Sequence, residues 1–166
     1  MKLGRFSAMA AAGVMVAGAL IGATGAGKAS ASETSPTRLC VDSSSQGNRC
    51  IQEPNALGAS ALLSALASGE NEQWLYPGTG STGVIESYQA TCLQVNAAGG
   101  YTVRNASCVN DAAEQWINEY DASAGRTVFV SVYDPNLCLS ADYIDGIVKA
   151  DSCANGISWY QEWGTS

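Results

Sequence analysis

After residue 31 the chain is built from short apolar runs with period-two alternation. "YTVRN" (101–105) and "GIVKA" (146–150) place apolar side chains at every second position, as a half-buried β-strand does. "VIESYQATC" and "VFVSVYDPNLC" carry β-branched and aromatic residues that give way to a polar turn, and they lead into Cys92 and Cys138. "LCVDSSSQGNRC" stands in the same relation to Cys50. Gly and Asn punctuate the chain about every ten residues, which leaves no room for helical repeats. One stretch, "ALGASALLSALA" at 56–67, has the composition of a helix. It aligns without a gap on turn-and-strand sequence elsewhere in the chain, so it is predicted to be turn and strand, against its own propensity.

That alignment rests on a repeat. Cys50 precedes Trp74 by 24 residues, Cys92 precedes Trp116 by 24, and Cys138 precedes Trp163 by 25. Each interval opens with Cys and Ile or Leu, and closes on an acid/amide pair beside Trp: Glu72-Gln73-Trp74, Glu114-Gln115-Trp116 and Gln161-Glu162-Trp163. The copies run over about 38–80, 81–125 and 126–166. A propeller needs about four blades or more. Three copies of about four strands each predict an all-β closed barrel with a pseudo-threefold axis. Its interior would be filled by Trp74, Trp116 and Trp163, because an indole buries about 150–250 Å².

The Cys-Leu opening, the internal second Cys and the Gln-x-Trp close resemble the ricin-type β-trefoil, the QxW lectin-like family in its secreted bacterial form, over residues 38–166. The resemblance implies a pseudo-threefold β-trefoil with intra-repeat disulfides. Cys92 would pair with Cys108 and Cys138 with Cys153. Copy one has Leu66 in place of the second Cys, and Cys40 stands ten residues before Cys50, at the place of Val128 in copy three. Cys40–Cys50 is therefore the third expected bridge, which leaves no thiol for nucleophilic chemistry. Glu72 and Glu114 replace the family's first glutamine. Each can accept a hydrogen bond there but cannot donate one as a carboxylate.

The N-terminus and the charge refine this picture. Residues 1–31 combine Lys2 and Arg5, an apolar run to about Ile21 and the Ala29-Ser30-Ala31 pattern, the layout of a cleaved signal peptide. Residues 32–37 read as a flexible leader. All six cysteines follow the cleavage pattern, as suits a secreted, extracellular chain with disulfides. Beyond residue 31 five basic residues face fifteen acidic ones, a net charge of −10. Nucleic acid, whose binding draws on Lys and Arg, is excluded as a partner, and the mature form is not expected on an anionic membrane. A monomer is expected.

The chain has no histidine, so the usual Ser-His-Asp and Cys-His machinery is absent, as are His-ligated zinc sites. No enzyme activity, metal or cofactor is expected. Asn105-Ala106-Ser107 fits a glycosylation pattern that carries no weight in a bacterial chain. The family resemblance implies a sugar site in each repeat: an Asp two residues after the first Cys, an aromatic two before the second, and an Asn before Gln-x-Trp. These places hold Gln52, Gln94 and Ser140; then Ser64, Ala106 and Asp151; then Asn71, Ala113 and Tyr160. Only Asn71 matches. The remaining candidates are Gln52 with Asn71 in copy one, and Gln94 with Tyr101 and Arg104 in copy two. Copy three offers Asp142, Tyr143, Asp151, Asn155, Trp159 and Tyr160. Trp159 lies outside the repeated pattern, which makes it a stacking candidate, with packing of the barrel seam as the competing role. The expected function is a secreted, non-catalytic, carbohydrate-binding protein with degenerate sugar sites. The alternative is a chain that has lost sugar binding and acts on an extracellular protein, for example as an inhibitor.

Overall fold

The computed structural model describes residues 35–41, 47–65, 69–123, 125–142, 146–153 and 161–165. Thirteen strands are present there: β1 (Leu39–Val41), β2 (Arg49–Gln52), β3 (Leu62–Ala65), β4 (Trp74–Leu75), β5 (Thr82–Val84), β6 (Glu86–Ser87), β7 (Thr91–Asn96), β8 (Thr102–Ser107), β9 (Gln115–Asp121), β10 (Arg126–Ser131), β11 (Leu137–Asp142), β12 (Ile147–Ser152) and β13 (Gly164–Thr165). The expected signal peptide and leader to residue 34 lie outside the described residues. The helix-like stretch does make a turn and then β3 within its described part.

The strands repeat one unit three times. β2–β3, β7–β8 and β11–β12 are antiparallel hairpins. Each third then ends in a strand that contains its Trp or directly follows it. That strand bridges back to the start of its own third, at Thr37↔Trp74, Gly83↔Trp116 and Thr127↔Trp163. It also pairs forward with a strand near the start of the following third: β4 with β6, β9 with β10, and β13 with β1. The last pairing closes the ring.

Strand alternation sends one row of each hairpin inward. Ile51, Leu93 and Leu139 follow Cys50, Cys92 and Cys138, and all three are fully buried with Trp74, Trp116 and Trp163. Each indole Nε1 donates to the carbonyl of one of them: Trp74 to Ile51 at 3.0 Å, Trp116 to Leu93 at 3.1 Å, Trp163 to Leu139 at 2.9 Å. Burial of the rings supplies apolar area, and the repeated bond satisfies the one polar atom each ring carries inward. The acid/amide-Trp signature is thus a structural device.

The three disulfides are Cys40–Cys50, Cys92–Cys108 and Cys138–Cys153, and none crosses between thirds. One detail of the expectation is corrected. Cys40 lies opposite Cys50 as Glu86 lies opposite Cys92 and Val130 opposite Cys138. Its counterpart in the last third is therefore Val130 rather than Val128, because the intervening turns differ in length. The hairpin ends turn through left-handed glycines, Gly58 (φ 82°), Gly100 (φ 69°) and Gly146 (φ 67°), a conformation that costs other residues about 1 kcal/mol or more.

Candidate functional site

The same alternation that buries one row of each hairpin turns the other row outward. Cross-strand partners share a face, so the ladder registers define the surface. The outward pairs are Gln52 with Leu62, Gln94 with Arg104, and Ser140 with Lys149. These are the places at which the sequence resemblance put a sugar-binding carboxylate.

In the second third that place is occupied by an internal network. Gln94 is only 9 % exposed. Its Nε2 donates to Glu114 Oε1 at 3.3 Å, and its Oε1 accepts from Arg104 Nε at 2.9 Å and Nη2 at 2.7 Å. Glu114 is fully buried, and its other oxygen accepts from the backbone N–H of Val109 and Asn110 at 2.8 and 2.7 Å. Gln94 thus serves as a strut between a buried carboxylate and a guanidinium. Ser140 in the last third is likewise turned to the scaffold. It donates to the Cys138 carbonyl at 3.1 Å and accepts from Gln161 Nε2 at 2.9 Å, and Gln161 also donates to the Ser152 carbonyl. In the first third the buried Glu72 accepts from Ser64 Oγ at 2.6 Å and makes an ion contact with Arg38 Nε at 3.5 Å. Both Glu-for-Gln replacements are therefore structural.

Of the other candidates, Asp142 forms an ion pair with Lys149, and both are partly exposed. Asp151 is exposed and accepts from the Ser152 N–H. Asn71 is partly buried, and its carbonyl accepts from the Glu53 N–H at 2.7 Å. Tyr143, Asn155, Trp159 and Tyr160 lie outside the described residues. Asn105 of the glycosylation pattern is buried and donates through Nδ2 to the Pro54 carbonyl.

The ladders place Gln52 and Asp142 at the two ends of one row. Gln52 faces Leu62, Leu62 faces Ile147, and Ile147 faces Asp142, so four strands carry one outward row from the first third to the last. Three interstrand spacings make it about 14 Å long. Leu62 and Ile147 were not singled out from the sequence. The alternation of the aligned copies could have marked both as outward, but which strands adjoin depends on the closure of the ring.

No family model matches the chain, and no curated protein matches it. Solved structures do. The GlcNAcα1-4Gal-releasing endo-β-galactosidase of Clostridium perfringens superposes with a TM-score of 0.62 at 12 % identity, over 78 % of this chain and 32 % of that one. The Polyporus squamosus lectin bound to a Neu5Acα2-6Galβ1-4GlcNAc epitope gives 0.62 at 12 %, over 81 % of this chain and 50 % of that one. The Vibrio vulnificus hemolysin/cytolysin β-trefoil lectin with N-acetyl-D-lactosamine bound gives 0.56 at 18 %, over 79 % and 94 %.

The fold is a β-trefoil. The chain spans about a third of the galactosidase and half of the Polyporus lectin, so it corresponds to part of each. At these identities the likeness concerns the trefoil itself. No helix among the described residues is long and apolar enough to cross a membrane. No group of three or more His, Cys, Asp or Glu among them could hold a metal ion.

Proposed function

We propose that this trefoil is an exported, non-catalytic carbohydrate-binding protein that uses the outward row joining its first and last thirds. The observation that carries the reading is that row itself: an amide at Gln52, an apolar centre at Leu62 and Ile147, and a carboxylate at Asp142. A saccharide needs polar groups for its hydroxyls and an apolar surface for its C–H face, and a strip of about 14 Å suits a short oligosaccharide. Lectins bound to glycans among the structural neighbours support the same class of ligand. In the second third Gln94 is engaged internally, so it is assigned no sugar hydroxyl. Tyr143, Asp151, Asn155, Trp159 and Tyr160 remain contributors named from the sequence alone.

The test is retention of the purified chain on a glycan array and on insoluble polysaccharides, with Gln52→Ala, Asp142→Ala and Trp159→Ala beside it. Retention that Asp142→Ala or Gln52→Ala weakens supports the row. Absence of retention on every glycan at high protein concentration overturns the reading. The internal engagement of Gln94 and Ser140 favours a second reading, in which sugar binding is lost and an extracellular protein is the partner. Capture of one protein from a secreted proteome, with no glycan retained, would establish it.

A further inference from the structure

The three hairpins do more than lie side by side. Their inner strands meet at the pseudo-threefold axis through three cross-strand contacts: Leu62↔Ile147, Lys149↔Thr102 and Ser60↔Arg104. Along each strand the two members lie two residues apart, Ser60 with Leu62, Thr102 with Arg104, Ile147 with Lys149. Residues two apart on a strand share a face, so the six form a closed outward ring. The residues between and beside them, Ala61, Leu63, Val103, Val148 and Ala150, are all buried, which fixes the ring as the outer side.

This ring is chemically divided. One edge, Leu62–Ile147, is apolar, and Leu62 is 40 % exposed. The opposite edge is Thr102–Arg104, and Lys149 follows Ile147 along its strand. Arg104 and Lys149 are two of the five basic residues beyond position 31, in a chain with fifteen acidic ones. Lys149 also pairs with Asp142 at the end of the outward row. Arg104 is held differently. Its Nε and Nη2 both donate to the one oxygen of Gln94, which the buried Glu114 anchors in turn. The guanidinium is fixed in place while its Nη1 hydrogens have no acceptor among the described residues. A guanidinium already held by its Nε edge presents planar donors to a carboxylate or sulfate with little further ordering.

We propose that the axial ring is an anion-selective subsite: it takes the carboxylate or sulfate of an acidic saccharide on Arg104, with the Leu62–Ile147 edge receiving the sugar's apolar face. This rests on the carbohydrate reading and narrows it to acidic glycans. The experiment uses the intact chain on immobilised neutral, carboxylated (uronic- or sialic-acid-bearing) and sulfated glycans at low and high salt. Retention is expected on the acidic members only, weakening as salt screens the charge. Arg104→Gln should lower it roughly ten- to hundredfold, the fold-change of one lost charge-assisted hydrogen bond. Arg104→Lys, which keeps the charge without the fork, should fall between, and Leu62→Ser should weaken retention with the charges intact. Thermal unfolding of each variant separates loss of binding from loss of fold. The carboxylated and sulfated arms identify the acidic group. Equal retention on neutral glycans by the native chain and Arg104→Gln would overturn the subsite and leave the carbohydrate reading standing. Absence of retention on any glycan would overturn both.

Discussion

Glu114→Gln replaces one carboxylate oxygen by an NH₂ of nearly the same size and should disturb three residues at once. The remaining oxygen can still accept from the Val109 and Asn110 N–H groups. The new NH₂ then meets Gln94 Nε2, which donates to Glu114 in the native protein. Rotating the Gln94 amide does not help, because its nitrogen would then face the Arg104 guanidinium that its oxygen now receives. A buried donor left without an acceptor costs about 1–3 kcal/mol. For a domain of this size that corresponds to roughly 3–5 °C in Tm per kcal/mol. Gln94→Glu alone also destabilises, by setting two carboxylates against each other. The double variant Gln94→Glu/Glu114→Gln restores the order of donors and acceptors, since Glu at 94 can accept from both Gln at 114 and Arg104. Urea unfolding of the four proteins should therefore give a favourable coupling of about 1–3 kcal/mol. Additivity within about 0.5 kcal/mol, the usual behaviour of independent sites, would refute the strut.

Further expectations follow from the threefold comparison. Trp116→Phe keeps a ring in the core but strands the Leu93 carbonyl, and should cost about 1–3 kcal/mol by chemical denaturation, against about 3–5 for Trp116→Ala. Glu53 is buried with one oxygen bonded to Thr91 and the other, Oε2, unpartnered, whereas the equivalent places hold Val95 and Ala141. Glu53→Val should accordingly be neutral or stabilising by about 1–2 kcal/mol, as replacing an incompletely paired buried charge often is, and a clear loss in the urea midpoint would contradict this. Removing the Cys92–Cys108 bridge by a double Ala substitution opens a loop of sixteen residues and should cost about 3 kcal/mol, read from the same curves.

The barrel was legible because its three tryptophans recur at nearly constant distance from a cysteine, and a period tied to inward positions survives divergence elsewhere. The bridges followed from the family resemblance and needed no knowledge of turn geometry. The register of Cys40 did need it. Cys40 and Cys50 are ten residues apart, but the matching pairs Glu86–Cys92 and Val130–Cys138 span shorter turns, so counting a fixed offset landed two residues away. The candidate site was less legible for a related reason. Gln94 is a plausible sugar contact as a letter in a sequence, and only the geometry of Glu114 and Arg104 shows both ends of its amide engaged. Leu62 and Ile147 meet because the ring closes, a contact between segments 85 residues apart that no local pattern announces.

The last strand of each third completes its neighbour as well as itself: β4 serves β6, β9 serves β10, and β13 returns to β1. A peptide holding one third alone would therefore present a bare strand edge and an indole lodged in a seam that does not yet exist. Such a fragment has no reason to fold in isolation, yet three of them carry every edge the others lack. Self-assembly into a trimer is the state to which that design of lent strands would drive it.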